Sequence, residues 1–188
     1  WLVDHHRKKT QKVNSREVFE FLCMNAWECG DPGMIFIDAI NRQHSMRKMG
    51  EITATNPCGE SPLLSAEACC LGSVNLAQMV RNNHVDWPKL AKTAALGVRF
   101  LDNMVTLNTY PTTEAKKMCL GNRKIGLGVM GWADMLVQMK IRYDSEPAIE
   151  LAKEVVRFLR KHAEDESEKI AKEKGTFPNF TMSTLKRK

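Results

Sequence analysis

Asn56-Pro57-Cys58-Gly59-Glu60 decides how this chain is read, together with Glu67-Ala68-Cys69-Cys70-Leu71-Gly72-Ser73-Val74-Asn75-Leu76, which brings a second cysteine eleven positions after Cys58. Proline before Cys58 and glycine after it bend the backbone and remove one donor, so the segment reads as a turn that displays side chains, not as a helix. Asn56, Cys58 and Glu60 alternate, can share one side of that turn and can meet one small ligand. An amide offers both a donor and an acceptor, and a carboxylate takes a proton. The thiol is the one group of the three able to act as nucleophile, ligand or one-electron centre. A surface turn holding an incidental buried cysteine is the competing reading, because free cysteine is among the most buried residue types. Spacing alone leaves both open.

Outward from this stretch the pattern alternates between helix and strand, which favours an α/β class. Upstream, Asn14 and Glu17 stand at capping-box spacing, and Val18, Phe19, Leu22, Ala26 and Trp27 recur at helical intervals, so a helix is expected from about Ser15 to Cys29, ended by Gly30-Asp31-Pro32-Gly33. Met34-Ile35-Phe36-Ile37 reads as a short buried strand and residues 41–52 as a polar loop. Cys23 and Cys29 read as small packing residues. Ala68 to Leu76 reads as a strand whose small residues suit a crowded barrel interior, with Cys69 and Cys70 on opposite faces and Cys70 packing.

Downstream, Asp86 caps a helix to about Leu107, with Leu90, Ala94, Val98, Leu101 and Val105 as its core stripe. A short helix from Thr113 to Leu120 should stop at Gly121, Lys124 to Leu127 should be a strand, and Trp132 to Met139 a helix. The longest helix should start at Ser145 with Pro147 in its first turn and run to Lys174 before Gly175, its charged segment Glu164 to Lys169 solvated.

With 188 residues, 43% of them apolar, the chain can bury one sizeable core and reads as one domain. No signal peptide and no apolar run near the ~20 residues that cross a bilayer is present, so a cytoplasmic location and no membrane partner are expected. The six cysteines lack paired Cys-x-x-Cys spacing, which argues against structural zinc, and a reducing compartment argues against a disulfide framework. The net charge of +6 is concentrated in His5-His6-Arg7-Lys8-Lys9 and Lys186-Arg187-Lys188. Neither cluster carries interleaved aromatics, so both read as solvated ends, not as a nucleic-acid surface.

Asn56-Pro57-Cys58-Gly59-Glu60, then Pro62-Leu63-Leu64, then Cys69-Cys70-Leu71-Gly72-Ser73-Val74-Asn75-Leu76, resembles the finger loop and following barrel strand of the ribonucleotide reductase large chain. The Asn-Pro-Cys form is most similar to the adenosylcobalamin-dependent class II enzymes. Gly30 to Asp38 upstream and Asn122 to Asp134 downstream continue the resemblance in order.

What the resemblance implies is a partial ten-stranded α/β barrel with a central finger loop near residues 53–67, residues 1–188 being a central part of the catalytic domain. It assigns Cys58 as the thiyl radical that removes the 3′ hydrogen of the ribose, Glu60 as acceptor of the 3′ hydroxyl proton, Asn56 as the group orienting the sugar, and Cys69 as one of two reducing thiols. Residues Asn56, Pro57, Cys58, Gly59 and Glu60 would bind substrate; no metal ligand is assigned. It further implies adenosylcobalamin or, alternatively, a radical from a separate metal-containing subunit. The implied partners are a ribonucleotide substrate, the remaining parts of the reductase chain, a thioredoxin-like or glutaredoxin-like reductant and a second copy in a homodimer. The family's catalytic chain is several times longer, so the second redox cysteine, the diphosphate loop and the specificity loops are expected outside these residues.

Two other readings stand beside it. Gly126-Leu127-Gly128-Val129-Met130-Gly131 is a literal G-x-G-x-x-G, with Asp144 eighteen positions beyond its first glycine, as in a dinucleotide-binding turn. The chain could also be an inactive scaffold descended from a reductase, although Cys58 and Glu60 are both retained.

Overall fold

A computed structural model describes residues 2–4 and 8–187, which fall into two compact units, Trp1–Arg42 and Gln43–Lys188. His5, His6, Arg7 and Lys188 of the two basic clusters lie outside the described residues.

In the first unit, β1 (Leu2–Asp4) pairs antiparallel with β2 (Lys9–Gln11). Helix α1 (Ser15–Cys29) follows with the expected bounds. The Asn14 side chain accepts from the Arg16 amide at 3.0 Å, and Gly30 ends the helix in a left-handed conformation at φ 80°. None of its residues is buried, and Cys23 and Cys29 are exposed, so they are not packing residues; the Cys29 thiol donates instead to the Asn25 and Asp31 carbonyls. The expected strand at Met34 to Ile37 is absent: Met34, Ile35 and Phe36 are exposed coil, and helix α2 (Ile37–Gln43) begins where the strand was to end. A four-residue apolar run does not distinguish a strand from a helix entry by periodicity.

The second unit begins irregularly, with a helical turn at Arg47–Met49 and Ile52 buried, before β3 (Ala54–Thr55) and β4 (Pro62–Leu63) form an antiparallel hairpin. Strand β5 (Leu71–Asn75) is shorter than expected. Ala68, Cys69 and Cys70 precede it as coil, so the two cysteines do not alternate across a strand. The reason is the partner: pairing starts at Leu71, opposite Gly126, immediately after the Gly126 amide donates to the Cys70 carbonyl at 2.9 Å. A small hairpin not signalled by periodicity follows, β6 (Val80–Arg81) and β7 (His84–Val85), its turn made by Asn82 and Asn83 at φ 50° and 61°. Two asparagines tolerate the left-handed conformation that such tight hairpin turns need.

Helix α3 (Trp87–Leu107) is capped by Asp86, whose carboxylate accepts from the Lys89 amide, and buries the whole expected stripe from Leu90 to Val105. Helix α4 (Thr113–Asn122) runs past Gly121, because that glycine serves close packing: a Cβ there would lie 2.5 Å from the Asn179 side chain. Arg123 supplies the left-handed cap instead. Strand β8 (Gly126–Met130) starts two residues later and ends three later than expected, in parallel register with β5 from Leu71↔Gly126 to Asn75↔Met130. Parallel strands require a crossover, and α3 with α4 provides it. Helices α5 (Trp132–Met139) and α6 (Glu146–Lys174) follow, and two short helical turns at Phe180–Met182 and Thr184–Arg187 come after them.

The core gathers Val74, Leu76, Met79, Leu90, Ala94, Met135, Val155 and Leu159, with the Trp87 and Phe158 rings in tilted contact at a 4.8 Å centroid distance beside it. Glu166 corrects the expectation of a solvated second half of α6. It is buried, its Oε1 accepting from Arg99 Nε at 2.8 Å, while Arg99 also holds the exposed Glu173. The class is thus mixed α/β. The described strands form four separate two-stranded sheets, with no closed barrel among them. Among the described residues no helix is long and apolar enough to cross a membrane.

Candidate functional site

Pro57 and Gly59 shape the hairpin tip as their positions demand. The Gly59 amide donates to the Asn56 carbonyl at 3.0 Å and Gly59 takes φ 82°, which closes a tight turn around Cys58. Asn56 staples the turn twice: its Oδ1 accepts from the Ser61 amide at 2.9 Å, and its Nδ2 donates to Glu60 Oε1. Asn56 and Glu60 are therefore brought together across the base of the turn, with Cys58 between them in sequence and exposed at the tip. The thiol is not the incidental buried cysteine of the competing reading.

Cys69 is exposed in the coil before β5, and its neighbours are fixed on both sides. Two residues earlier, Glu67 has a side chain only 2% exposed. Its Oε2 accepts from Lys124 Nζ at 2.6 Å and from the Leu64 amide at 2.7 Å, and its Oε1 accepts from Asn122 Nδ2 at 2.5 Å. Asn122 Oδ1 in turn accepts from Asn179 Nδ2 at 2.7 Å. Sequence reasoning missed this network. Glu67 is separated from Asn122 by 55 positions and from Lys124 by 57, so no local spacing reveals it; the one available signal was a lone carboxylate entering a run of small and apolar residues.

Cys70 is half-buried, and its thiol donates to the Leu101 carbonyl at 3.7 Å. Burial, then the neighbouring Cys69 and Cys119 thiols, push its pKa up, which keeps it protonated and suits the packing role expected of it. Cys119 is buried and accepts from the Ala68 amide at 3.3 Å. His44 has a buried Nδ1 without a hydrogen-bond partner. Burial, then the cationic Lys124 and Arg47, lower its pKa, with Glu67 opposing.

The glycine motif does not form a dinucleotide turn. Gly126 and Gly128 are paired strand residues opposite Leu71 and Ser73, whereas a phosphate-binding turn places its glycines after the strand. At Gly126 a Cβ would stand 2.4 Å from the end of the Leu71 side chain, so the glycine lets that side chain lie over the strand. Among the described residues no group of three or more His, Cys, Asp or Glu is placed to hold a metal ion.

The family model of the ribonucleotide reductase barrel domain matches residues 2–188. The chain belongs to this family. It is 44% identical over 180 residues to a vitamin B12-dependent ribonucleoside-diphosphate reductase of Mycobacterium tuberculosis, the match covering 96% of this chain and 26% of that protein. A protein of the same name from Thermoplasma acidophilum is 41% identical over 179 residues, with 94% of this chain and 23% of that one covered. Similarity to the ribonucleoside-diphosphate reductase subunit alpha of Chlamydia pneumoniae is lower, 35% over 177 residues, covering 92% and 17%. The chain spans about a quarter of the length of the B12-dependent relatives. Membership in the reductase barrel family does not favour the dinucleotide reading.

Proposed function

We infer that this chain is the part of a ribonucleoside di- or triphosphate reductase that carries the radical thiol, and that residues 1–188 are a central piece of the catalytic barrel. The observation that carries the reading is the hairpin tip itself, where Asn56 and Glu60 are hydrogen-bonded and Cys58 is exposed between them.

Cys58, as a thiyl radical, takes a hydrogen atom from the ribose 3′ carbon. The 3′ hydroxyl becomes acidic once its carbon is a radical, so Glu60, a modest base, suffices to accept the proton. Asn56 orients the sugar hydroxyls, its amide held by the Ser61 backbone so that little freedom is lost on binding. The 2′ hydroxyl leaves as water. Cys69 and a second thiol supply two electrons and two protons and end as a disulfide, Glu60 gives its proton back to the 3′ oxygen, and Cys58 returns its hydrogen atom to the 3′ carbon. An external dithiol of thioredoxin or glutaredoxin type then reduces the disulfide.

Adenosylcobalamin suits this chain, because what it requires here is an accessible thiol to oxidise by one electron, and Cys58 is exposed. When bound, the cofactor supplies the organic radical that removes the thiol hydrogen. The names of the B12-dependent relatives support that choice over a separate metal-containing subunit. The remaining chain of the reductase, a homodimer partner and a cytoplasmic location belong to the same reading.

The test is deoxynucleotide formation from a labelled ribonucleotide by the full-length protein with adenosylcobalamin and a dithiol. Cys58→Ser is expected to abolish it, since serine keeps the shape while its O–H bond is too strong to yield the radical. Turnover by the Cys58→Ser protein would overturn the reading.

A further inference from the structure

We propose that Glu67 is a positioning residue for the reduction steps: its buried carboxylate sets where Cys69 stands relative to the hairpin that bears Cys58. The proposal rests on the roles given above to these two cysteines.

The geometry is a clamp around one exposed thiol. On its N-terminal side, Glu67 closes a turn on Leu64, the residue after β4, in both directions: the Glu67 amide donates to the Leu64 carbonyl at 3.1 Å and the Leu64 amide donates to Glu67 Oε2 at 2.7 Å. Ala66 between them is forced to φ 61°. The same carboxylate is tied to Lys124 and Asn122, which lie just before β8. Next in the chain, the Ala68 amide is held by Cys119 at 3.3 Å, and the Cys70 carbonyl by the Gly126 amide at 2.9 Å. Of the four residues from Glu67 to Cys70, Ala68 and Cys69 are exposed, and Cys69 stands between neighbours that are each anchored by a hydrogen bond.

A buried ion pair is weak support for stability, because the cost of desolvating two charges offsets much of their attraction, and an apolar pair of equal volume is often as good. What a charged pair with two further donors does well is fix one register. Glu67 Oε2 is shared by the hairpin base and by the segment entering β8, so it ties the loop that carries the radical thiol to the strand pair that the coil bearing the reducing thiol leads into. Those two thiols must act in turn on one sugar, and a displacement of about 1 Å is enough to cost ~10²-fold in a step that depends on placement.

The experiment uses the full-length reductase with a ribonucleotide tritiated at the 3′ carbon, and measures cleavage of the 3′ carbon–hydrogen bond separately from deoxynucleotide formed. For Glu67→Gln the expected result is cleavage within about threefold of the parent and product reduced by tenfold or more, since only the second half depends on Cys69. A purely structural role would lower both in parallel, and no role would change neither; either result overturns the proposal. Should Glu67→Gln leave Lys124 uncompensated and unfold, Glu67→Gln combined with Lys124→Gln removes both charges together, and a folded double variant with parental coupling of cleavage to product also overturns it. Cys58→Ser in the same assay separates the two readings: persistent 3′ cleavage there defeats the assignment of Cys58 and not the clamp.

Discussion

Between Ala54 and Leu63 the chain makes a hairpin of two paired residues per strand, with Pro57, Cys58, Gly59 and Glu60 all exposed and Asn56 holding the turn by side-chain hydrogen bonds. A short distance along the chain, β5 and β8 pair over five residues beneath a helix whose Leu90 and Ala94 have no exposure at all. The hairpin depends on turn chemistry and one amide; the strand pair depends on apolar burial. The contrast teaches where tolerance lies. On the proposed function, exchanging the exposed thiol at the tip should cost little stability and most of the chemistry, and the reverse is expected in the core.

The largest effect expected is at the tip. Cys58→Ser should eliminate turnover of the full-length protein while its unfolding free energy stays within about 0.5 kcal/mol of the parent, the range of exposed substitutions away from special features. A large fall in melting temperature would break the comparison, because it would make the tip part of the fold's support. Next comes Leu90→Ala in α3, fully buried in the core, which should cost about 2–5 kcal/mol in denaturant unfolding through lost burial and the cavity left behind. A cost under about 1 kcal/mol would show that the core repacks freely and is no firmer than the hairpin.

Gly131 sharpens the comparison at the junction between strand and helix. It takes φ 70° ahead of α5, and a Cβ there would stand 2.4 Å from Asn75 Oδ1, the acceptor that caps the turn after β5. Gly131→Ala should cost about 1–3 kcal/mol, combining left-handed strain with displacement of that cap, measured by the same unfolding curves. An unchanged midpoint would show that the β5–β8 edge yields as readily as the tip.

The parts legible in the sequence are those governed by local rules. The bounds of α1, α3 and α6 follow from Asn14, Asp86, Gly30 and Gly175 and from the stripe Leu90 to Val105, all readable within one helix. The turn at Cys58 followed from Pro57 and Gly59 in the same way. What escaped was set by distant partners. Strand β8 starts at Gly126 and not at Lys124 because Leu71 fixes the register. Glu166 is buried because Arg99 reaches it across 67 positions. Glu67 looks like an ordinary surface carboxylate until Lys124 and Asn122 arrive from the other end of the crossover. The apolar run Met34 to Phe36 failed for the opposite reason, since burial was inferred from composition and the residues are exposed.

The smallest effect predicted concerns pH and lies between the two regions. His44 has a buried, unpartnered Nδ1, and the charged groups that act on it are Lys124 and Arg47, which disfavour its protonation, and Glu67, which favours it. Burial and the two cations prevail, so the folded-state pKa lies below the ordinary 6.5. The folded chain therefore binds fewer protons at this site than the unfolded chain, and stability must rise with pH across the interval from the lowered value up to 6.5. The contribution is fully present above 6.5 and is lost as the pH falls through that interval. Melting temperatures at a series of pH values should show a small decline on the acid side in the parent that is reduced in His44→Gln, which has no charge to gain. Identical declines in both proteins would place the acid sensitivity elsewhere, and a steeper decline in His44→Gln would mean that Glu67 outweighs the cations and that the sign assigned to this histidine is wrong.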